Sequence, residues 1–300
     1  MNERRAIPRL NGRDPEAFAR HCLRPRRPAI LTGAIDDWPA LTPEWLAERS
    51  GDVRTHAVVD LPAEGNVYER ASADHRVESS VAEFVEQLRS PSRTCPCYMV
   101  QKPLAAFTGL AAALDLGALS ALSGHARWQP HVWLGSEGTR SGLHFDAPHN
   151  FLAQVYGRKR VILVAPDRPQ LVSPFEWNYS KSQVDPERPA LRRFPRFASA
   201  VLWEAVLAPG EVLFIPQIWW HHLTSLDVSI SVNLWFQPAP IHQVLPVILQ
   251  SGWRPTLAVL RQLVWNGLLR QPHEERLFGG TLPGVALLGG ARPRSRRSAS

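Results

Sequence analysis

The chain between residues 128 and 236 reads as a succession of short apolar runs: HVWLG (131–135), SGLHFD (141–146), FLAQVYG (151–157), KRVILVAP (159–166), AVLWEAVLAPG (200–210), EVLFIP (211–216), HHLTSL (221–226) and VSISVNLWF (228–236). Most are rich in Val, Ile, Phe or Trp, and Pro, Gly and Asp turns separate them. Runs of this length and spacing predict an antiparallel sandwich or barrel. In the last run Ser229, Ser231, Asn233 and Trp235 share one face, and Ile230, Val232, Leu234 and Phe236 share the other. A polar stripe on a barrel strand needs polar company if it points inward.

The flanks differ from this core. Pro15–Cys22 reads as a short helix, Ala29–Thr32 as a strand and Asp36–Pro39 as a turn. A helix is expected over Pro43–Glu48, with Thr42 as its N-cap and Pro43 at its first position. Val81–Leu88 has helical spacing behind Ser79 and Ser80. Ala105–Leu122 does too, interrupted near Gly117. After Pro240 the pattern is helical again to about Leu269. The expected organisation is therefore N-terminal α/β elements (1–127) packing on a barrel (128–240), then a helical segment (241–290) and a basic tail (291–300).

Composition agrees with a globular protein. The 300 residues are 44% hydrophobic and 20% charged, and 27 prolines favour short elements and loops over long bundles. The net charge of +7 invites a nucleic-acid reading, but four of the excess arginines lie in RPRSRRSAS (292–300), a pattern of solvated tails. No specific nucleic-acid partner is expected. Three cysteines (Cys22, Cys95, Cys97) suit neither a disulfide framework nor a zinc site. No signal peptide is expected, because MNERRAIPRLNGRDPEAF (1–18) has no long apolar run, and no membrane span, because Pro246, Arg254, Pro255 and Arg261 break the most apolar late stretch. A cytoplasmic location is the default.

The chemistry is concentrated in two motifs. In His144-Phe145-Asp146 the two-residue period places the imidazole and the carboxylate on one face. The run from Leu207 to His222 opens with a Pro-Gly turn, passes Pro216 and ends on His221-His222. An HxD pair and a later histidine are the two-His-one-carboxylate set of non-haem iron oxygenases, which leaves positions open for co-substrate and dioxygen. Neighbours in a strand face opposite ways, so only one of His221 and His222 can join the set. His149 would join only if its loop folded inward.

HFDAPHNFLAQVYGRKRVILVAPD (144–167), SQVDPERPALRRFPRF (182–197), LAPGEVLFIPQIWWHHLTSL (207–226) and SISVNLWF (229–236), taken together, resemble the jumonji-C and cupin-like Fe(II)- and 2-oxoglutarate-dependent oxygenases. The branch most resembled is that of the asparaginyl hydroxylase that inhibits hypoxia-inducible factor and its bacterial relatives. RPAILTGAIDDWPALTPEWLAE (27–48) resembles the lead-in of the same family. The resemblance implies a double-stranded β-helix (jelly-roll, cupin) core, mainly β. It implies His144, Asp146 and His221 as iron ligands, with Lys159 pairing the far carboxylate of 2-oxoglutarate. Asn150, Asn233, Ser141 and Tyr98 fall where similar hydroxylases contact that co-substrate. The scarcity of lysine (Lys102, Lys159 and Lys181 only) agrees that a lysine opening an apolar strand has a specific task. Trp219 and Trp235 read as core.

The implied reaction hydroxylates a C–H bond of a protein side chain or small molecule with dioxygen, releasing succinate and CO2. Asn178-Tyr179-Ser180-Lys181 departs from what the asparaginyl hydroxylase carries, so the substrate stays open. Competing readings are a cupin with three His and one Glu, which would want HxH; a lysine demethylase on the same core; and a non-catalytic scaffold. Similar hydroxylases dimerise through C-terminal helices, so the apolar positions of 241–269 imply a homodimer.

Overall fold

The structure is a computed structural model that describes residues 2–59, 75–90, 95–124, 130–175, 178–250, 253, 256 and 257. Six N-terminal strands, β1 (Arg4–Ala6), β2 (Arg9–Asn11), β3 (Ala29–Thr32), β4 (Arg54–Val58), β5 (Arg76–Ser80) and β6 (Tyr98–Pro103), precede the barrel. The barrel region holds β7 (His131–Gly135), β8 (His144–Phe145), β9 (Pro148–Tyr156), β10 (Lys159–Val164), β11 (Pro174–Phe175), β12 (Asn178–Ser182), β13 (Leu202–Leu207), β14 (Val212–Ile215), β15 (Trp220–Ser225) and β16 (Ser229–Pro238). Each of the eight apolar runs contributes one of these strands.

The strands form two sheets, ordered β1-β13-β10-β15-β8-β12-β11 and β2-β3-β14-β9-β16-β7-β6-β4-β5. Strands β7 to β10 and β13 to β16 alternate one by one between the two sheets, the winding of a jelly roll. The expected mainly-β cupin core is therefore the observed one. The N-terminal strands lengthen both sheets: β3 pairs with β14, β6 with β7, and β1 runs parallel to β13.

Apolar packing follows the two-residue period. Ile230, Val232, Leu234 and Phe236 face outward from the larger sheet and join Phe84, Phe107, Leu119 and other helical side chains in one cluster. Phe145, Ile162, Trp220 and Val164 cover the outer side of the smaller sheet. Leu152, Val161, Leu163 and Leu213 fill the space between the sheets. Ser229, Ser231 and Asn233 are buried, so the polar stripe lies inside the barrel, not on a solvated face. At the β9–β10 turn Gly157 has φ +66°, and an added Cβ would meet the Val228 carbonyl oxygen at 2.1 Å, so only glycine fits.

The helices begin where their caps predict. In α1 (Pro15–Phe18) the Asp14 carboxylate accepts from Ala17 N at 2.9 Å, and the chain continues through a wider turn to Leu23. In α2 (Pro43–Ser50) Thr42 Oγ1 accepts from Trp45 N at 3.1 Å. In α3 (Val81–Arg89) Ser80 and Glu83 form a reciprocal capping box. The single interrupted helix expected over 105–122 is instead a short turn, α4 (Thr108–Ala113) and α5 (Gly117–Ser123). The break falls at 114–116, and Gly117 opens α5. Asp115 is the reason: its side chain accepts from Gly117 N (2.8 Å) and its carbonyl from the Trp38 indole (2.6 Å). Beyond the barrel, α6 (Ile241–Gln250) buries Val244, Val247 and Ile248 on the barrel and exposes Leu245 and Leu249. The rest of the expected C-terminal helical segment, apart from Thr256 and the exposed Trp253 and Leu257, lies outside the described residues, as does the basic tail. No described helix is long and apolar enough to cross a membrane.

Candidate metal and co-substrate site

The central feature is one rung across the smaller sheet. Leu163 of β10 pairs with His221 of β15, His221 with His144 of β8, and His144 with Lys181 of β12. Cross-strand partners share a face, so all four side chains point the same way. Val161 and Leu163 belong to the cluster between the sheets, so that face is the barrel interior. Asp146, two residues after His144, joins them. His144, Asp146 and His221 each offer a ligand atom, and the three atoms lie within 4.8 Å of one another. The two imidazoles stand 4.0 Å apart between centroids, and His221 Nε2 is 3.7 Å from Asp146 Oδ2.

Backbone carbonyls orient both rings. His144 Nδ1 lies 3.1 Å from Gly142 O, and His221 Nδ1 lies 3.0 Å from Trp219 O. A carbonyl only accepts, so each Nδ1 carries the proton and each Nε2 keeps a lone pair, the tautomer that binds a metal. Burial and the neighbouring His221 ring push the His144 imidazole well below the ordinary histidine range, which keeps it neutral. Asp146 is held from two sides. Its Oδ2 accepts from the Trp235 indole at 2.8 Å, and its carbonyl accepts from Ile218 N at 2.9 Å. Ile218 has φ +57°, a costly setting for a β-branched residue, in the turn that Pro216 opens between β14 and β15. The turn thereby ties the strand that brings His221 to the strand that brings Asp146.

Lys159 lies on the same interior face as Val161 and Leu163, two pleats from the histidine rung. It is 3% exposed, so a solvated lysine at a strand edge is not what the structure contains. It makes no ion pair or hydrogen bond among the described residues. Its Nζ stands 5.7 Å from the Tyr98 ring centroid, and burial pushes the ammonium down to about 7. Asn150 is buried at 1% exposure and neither of its amide atoms has a partner among the described residues, nor does the buried Trp133 indole N–H. Asn233 pairs with His131 and Leu152, Tyr98 packs on Trp133 at 5.7 Å, and both are buried. Gly135 lets Tyr98 approach, since an added Cβ would meet its ring at 2.7 Å. Ser141 is placed differently: its hydroxyl accepts from Leu223 N at 3.0 Å and donates to Gly142 O at 3.3 Å. That hydroxyl helps to hold the loop before His144.

These residues fit Fe(II) with 2-oxoglutarate. Two imidazoles and a carboxylate make a donor set for a divalent metal with open positions. A buried cation and unsatisfied amide and indole groups suit the far end of a dicarboxylate.

Two further histidines and two tryptophans are distinguished by position. His222 faces the other way from His221; its Nε2 contacts Thr224 Oγ1 at 3.1 Å, and burial pushes its imidazole down to about 4. It lies near Asp185 and Glu187, a grouping that could itself hold a metal, but Arg140 pairs with both carboxylates at 3.1 and 3.5 Å. Those two carboxylates are already met by the guanidinium groups of Arg140 and Arg160. His149 is not in a loop: it sits in β9 against Phe214 and Phe236 on the outward face, and its Nδ1 accepts from Gln217 N at 3.1 Å. Trp235 is more than core, since it holds Asp146; Trp219 packs among the interior residues, as expected. Trp133 and Lys181 were not singled out as site residues. The alternation of HVWLG puts Trp133 inward with His131, a signal present in the sequence. Lys181 is buried, burial pushes its ammonium down to about 8, and the Asp146 carboxylate opposes that shift.

Residues 15–242 match the model of the cupin-like domain. The chain is 34% identical over 245 residues to a protein of Xenopus tropicalis named lysine-specific demethylase 8, covering 79% of this chain and 54% of that protein. It is 28% identical over 247 residues to jumonji C domain-containing protein 5 of Drosophila melanogaster, covering 77% and 60%. Over 154 residues it is 40% identical to HSPB1-associated protein 1 of Rattus norvegicus, covering 49% and 30%. The chain thus spans little more than half the length of the first two of these relatives.

Proposed function

The chain belongs to the cupin-like domain family, and from that premise we propose that it is an Fe(II)- and 2-oxoglutarate-dependent oxygenase that hydroxylates a C–H bond. The observation that carries this reading is the ligand set itself: His144, Asp146 and His221 within 4.8 Å, with both Nδ1 atoms committed to backbone carbonyls. His144, Asp146 and His221 would hold the iron, and Lys159, Asn150 and Trp133 the far carboxylate of 2-oxoglutarate. When bound, the pair supplies the oxidation: substrate, dioxygen and 2-oxoglutarate give hydroxylated substrate, succinate and CO2.

The chain's own residues do the rest. Trp235 fixes the Asp146 carboxylate, so the ligand set is preorganised. Leu152, Val161, Leu163 and Leu213 wall the interior and keep water from the reacting centre. Asp146 is 27% exposed where His221 is buried, so the site opens on the Asp146 side. Relatives named lysine-specific demethylases raise a second outcome, in which the hydroxylated carbon is an N-methyl group and is lost as formaldehyde.

The test is anaerobic loading with Fe(II), followed by succinate formation from 2-oxoglutarate in air, with His144→Ala and Asp146→Ala as controls. Wild type is expected to retain iron and form succinate well above both variants. Equal rates in all three would overturn the reading. Formaldehyde release from methylated substrates, measured in parallel, separates demethylation from hydroxylation that is retained in the product.

A further inference from the structure

We infer that Arg140 is a positioning residue for the metal: its guanidinium, on the outer face of the smaller sheet, fixes where His144 stands on the inner face. The inference rests on the reading of His144, Asp146 and His221 as metal ligands, and names what holds one of them in place. Residues 138–141, just before β8, already run along β15. Gly138 N donates to Ser225 O at 2.9 Å, and Ser141 N donates to Leu223 O at 3.0 Å. Between them Arg140 bridges Thr224, which shares its face with His222, so Arg140 rises on the side of the sheet opposite His221. On the far side of β8, Ser182 N donates to Leu143 O at 2.8 Å. Past that bond the tie between the two segments passes to side chains. One guanidinium nitrogen of Arg140 lies 3.1 Å from Asp185 Oδ2, and the other 3.5 Å from Glu187 Oε2. Asp185 Oδ1 accepts from Glu187 N at 2.9 Å, so the two carboxylates are presented as a pair.

This tie differs from a surface ion pair. The side chains of Arg140, Asp185 and Glu187 are 15%, 23% and 12% exposed, so water and salt screen them little. A guanidinium is a planar fork that meets two acceptors in fixed geometry, whereas an ammonium is a point charge on a flexible stem. Arg160 extends the network, lying 3.9 Å from Glu187 and 3.8 Å from Glu204, so it reaches across β10 to β13. Such a network is weak evidence for stability, because apolar side chains of similar size often do as well. What it supplies is a distance. Strand β8 lies between β15 and β12, and His144 pairs with His221 on one side and Lys181 on the other. The separation of β12 from β15 therefore sets His144 relative to His221, and the Arg140 fork sets that separation.

The experiment uses the full chain, with Mn(II) and Co(II) as probes. Arg140→Lys keeps the charge and loses the fork, and Arg140→Gln loses both. Leu119→Ala removes buried bulk from the helical cluster on the larger sheet and controls for lost stability alone. Mn(II) affinity is read from the electron paramagnetic resonance of the free ion, stability from urea unfolding, and ligand geometry from the visible bands of Co(II) at saturation. Both Arg140 variants are expected to bind Mn(II) at least about tenfold more weakly than wild type and to shift the Co(II) bands. Leu119→Ala is expected to unfold at lower urea and to match wild type in both metal readouts. Wild-type affinity and bands in Arg140→Lys overturn the inference, because charge alone would then suffice. So does weaker binding with unchanged Co(II) bands, or an equal loss in Leu119→Ala, which is what general loosening gives. Where an Arg140 variant does not fold, Asp185→Asn, which weakens one arm of the fork, is held to the same criteria. A wild type that binds no Mn(II) refutes the ligand set itself, and the positioning role falls with it.

Discussion

Replacing Lys159 with methionine is expected to stabilise the protein while abolishing its use of 2-oxoglutarate. In the absence of co-substrate Lys159 is 3% exposed with no ion pair among the described residues, and burial lowers its ammonium from 10.5 to about 7. The unfolded chain binds that proton more readily, so stability contributed at this position rises as the pH climbs from about 7 toward 10.5 and is lost below. A drop of this size corresponds to about 5 kcal/mol at and below neutral pH. Water entry and imperfect repacking of the methionine consume part of it, so a net gain of about 2–5 kcal/mol is expected. The assay is urea unfolding of metal-free, co-substrate-free protein, wild type against Lys159→Met, at about pH 6 and about pH 10. The gap between the two proteins should be wide at the lower pH and should shrink at the higher one. Adding 2-oxoglutarate with Mn(II) should stabilise wild type by mass action beyond any effect on the variant. A variant no more stable than wild type at low pH would refute the reasoning, because Lys159 would then already be neutralised within the chain.

Three further outcomes follow from particular contacts. Trp235→Phe keeps the ring but loses the bond to Asp146 Oδ2, and should weaken Mn(II) binding by about 10–100-fold with little change in circular dichroism; unchanged affinity would remove Trp235 from the site. Gly157→Ala places a Cβ against the Val228 carbonyl at positive φ and should cost roughly 2–3 kcal/mol in urea unfolding, whereas a neutral result would mean the β9–β10 turn can shift freely. The homodimer expected from the C-terminal apolar segment is tested by sedimentation equilibrium at micromolar concentration. Leu249→Glu, at an exposed position of α6, should shift the distribution toward monomer, and a wild type that is monomeric throughout would remove the expectation.

The sequence was most legible where chemistry and periodicity coincide. The HxD pair, the histidine after Pro216 and the polar stripe of β16 are local patterns, and local patterns survive folding when each strand keeps its pleat. Lys159 was legible through rarity and through the resemblance. Trp235 was not, because tryptophan reads as core until the non-local pairing of β16 with β9 brings its indole to Asp146, just past the end of β8. Lys181 was illegible for a related reason: its place beside the ligands depends on a single register pair between two short strands 37 positions apart, Lys181 and His144. His149 was misplaced because β9 begins only two residues after Asp146, leaving no loop for it to occupy. The helix break at 114–116 hinged on Trp38 reaching Asp115, a contact that no window of sequence contains.

Strand β8 is two residues long, and that brevity has a consequence for how this protein can change. So short a segment cannot hold its own place, so His144 stands where β15 on one side and β12 on the other put it. The edge of the sheet and the position of His144 are therefore a single mechanical unit. Exchange of β12, an obvious way to reshape the rim of such a barrel, would also shift His144. In this chain a change at that edge is felt at the proposed ligand.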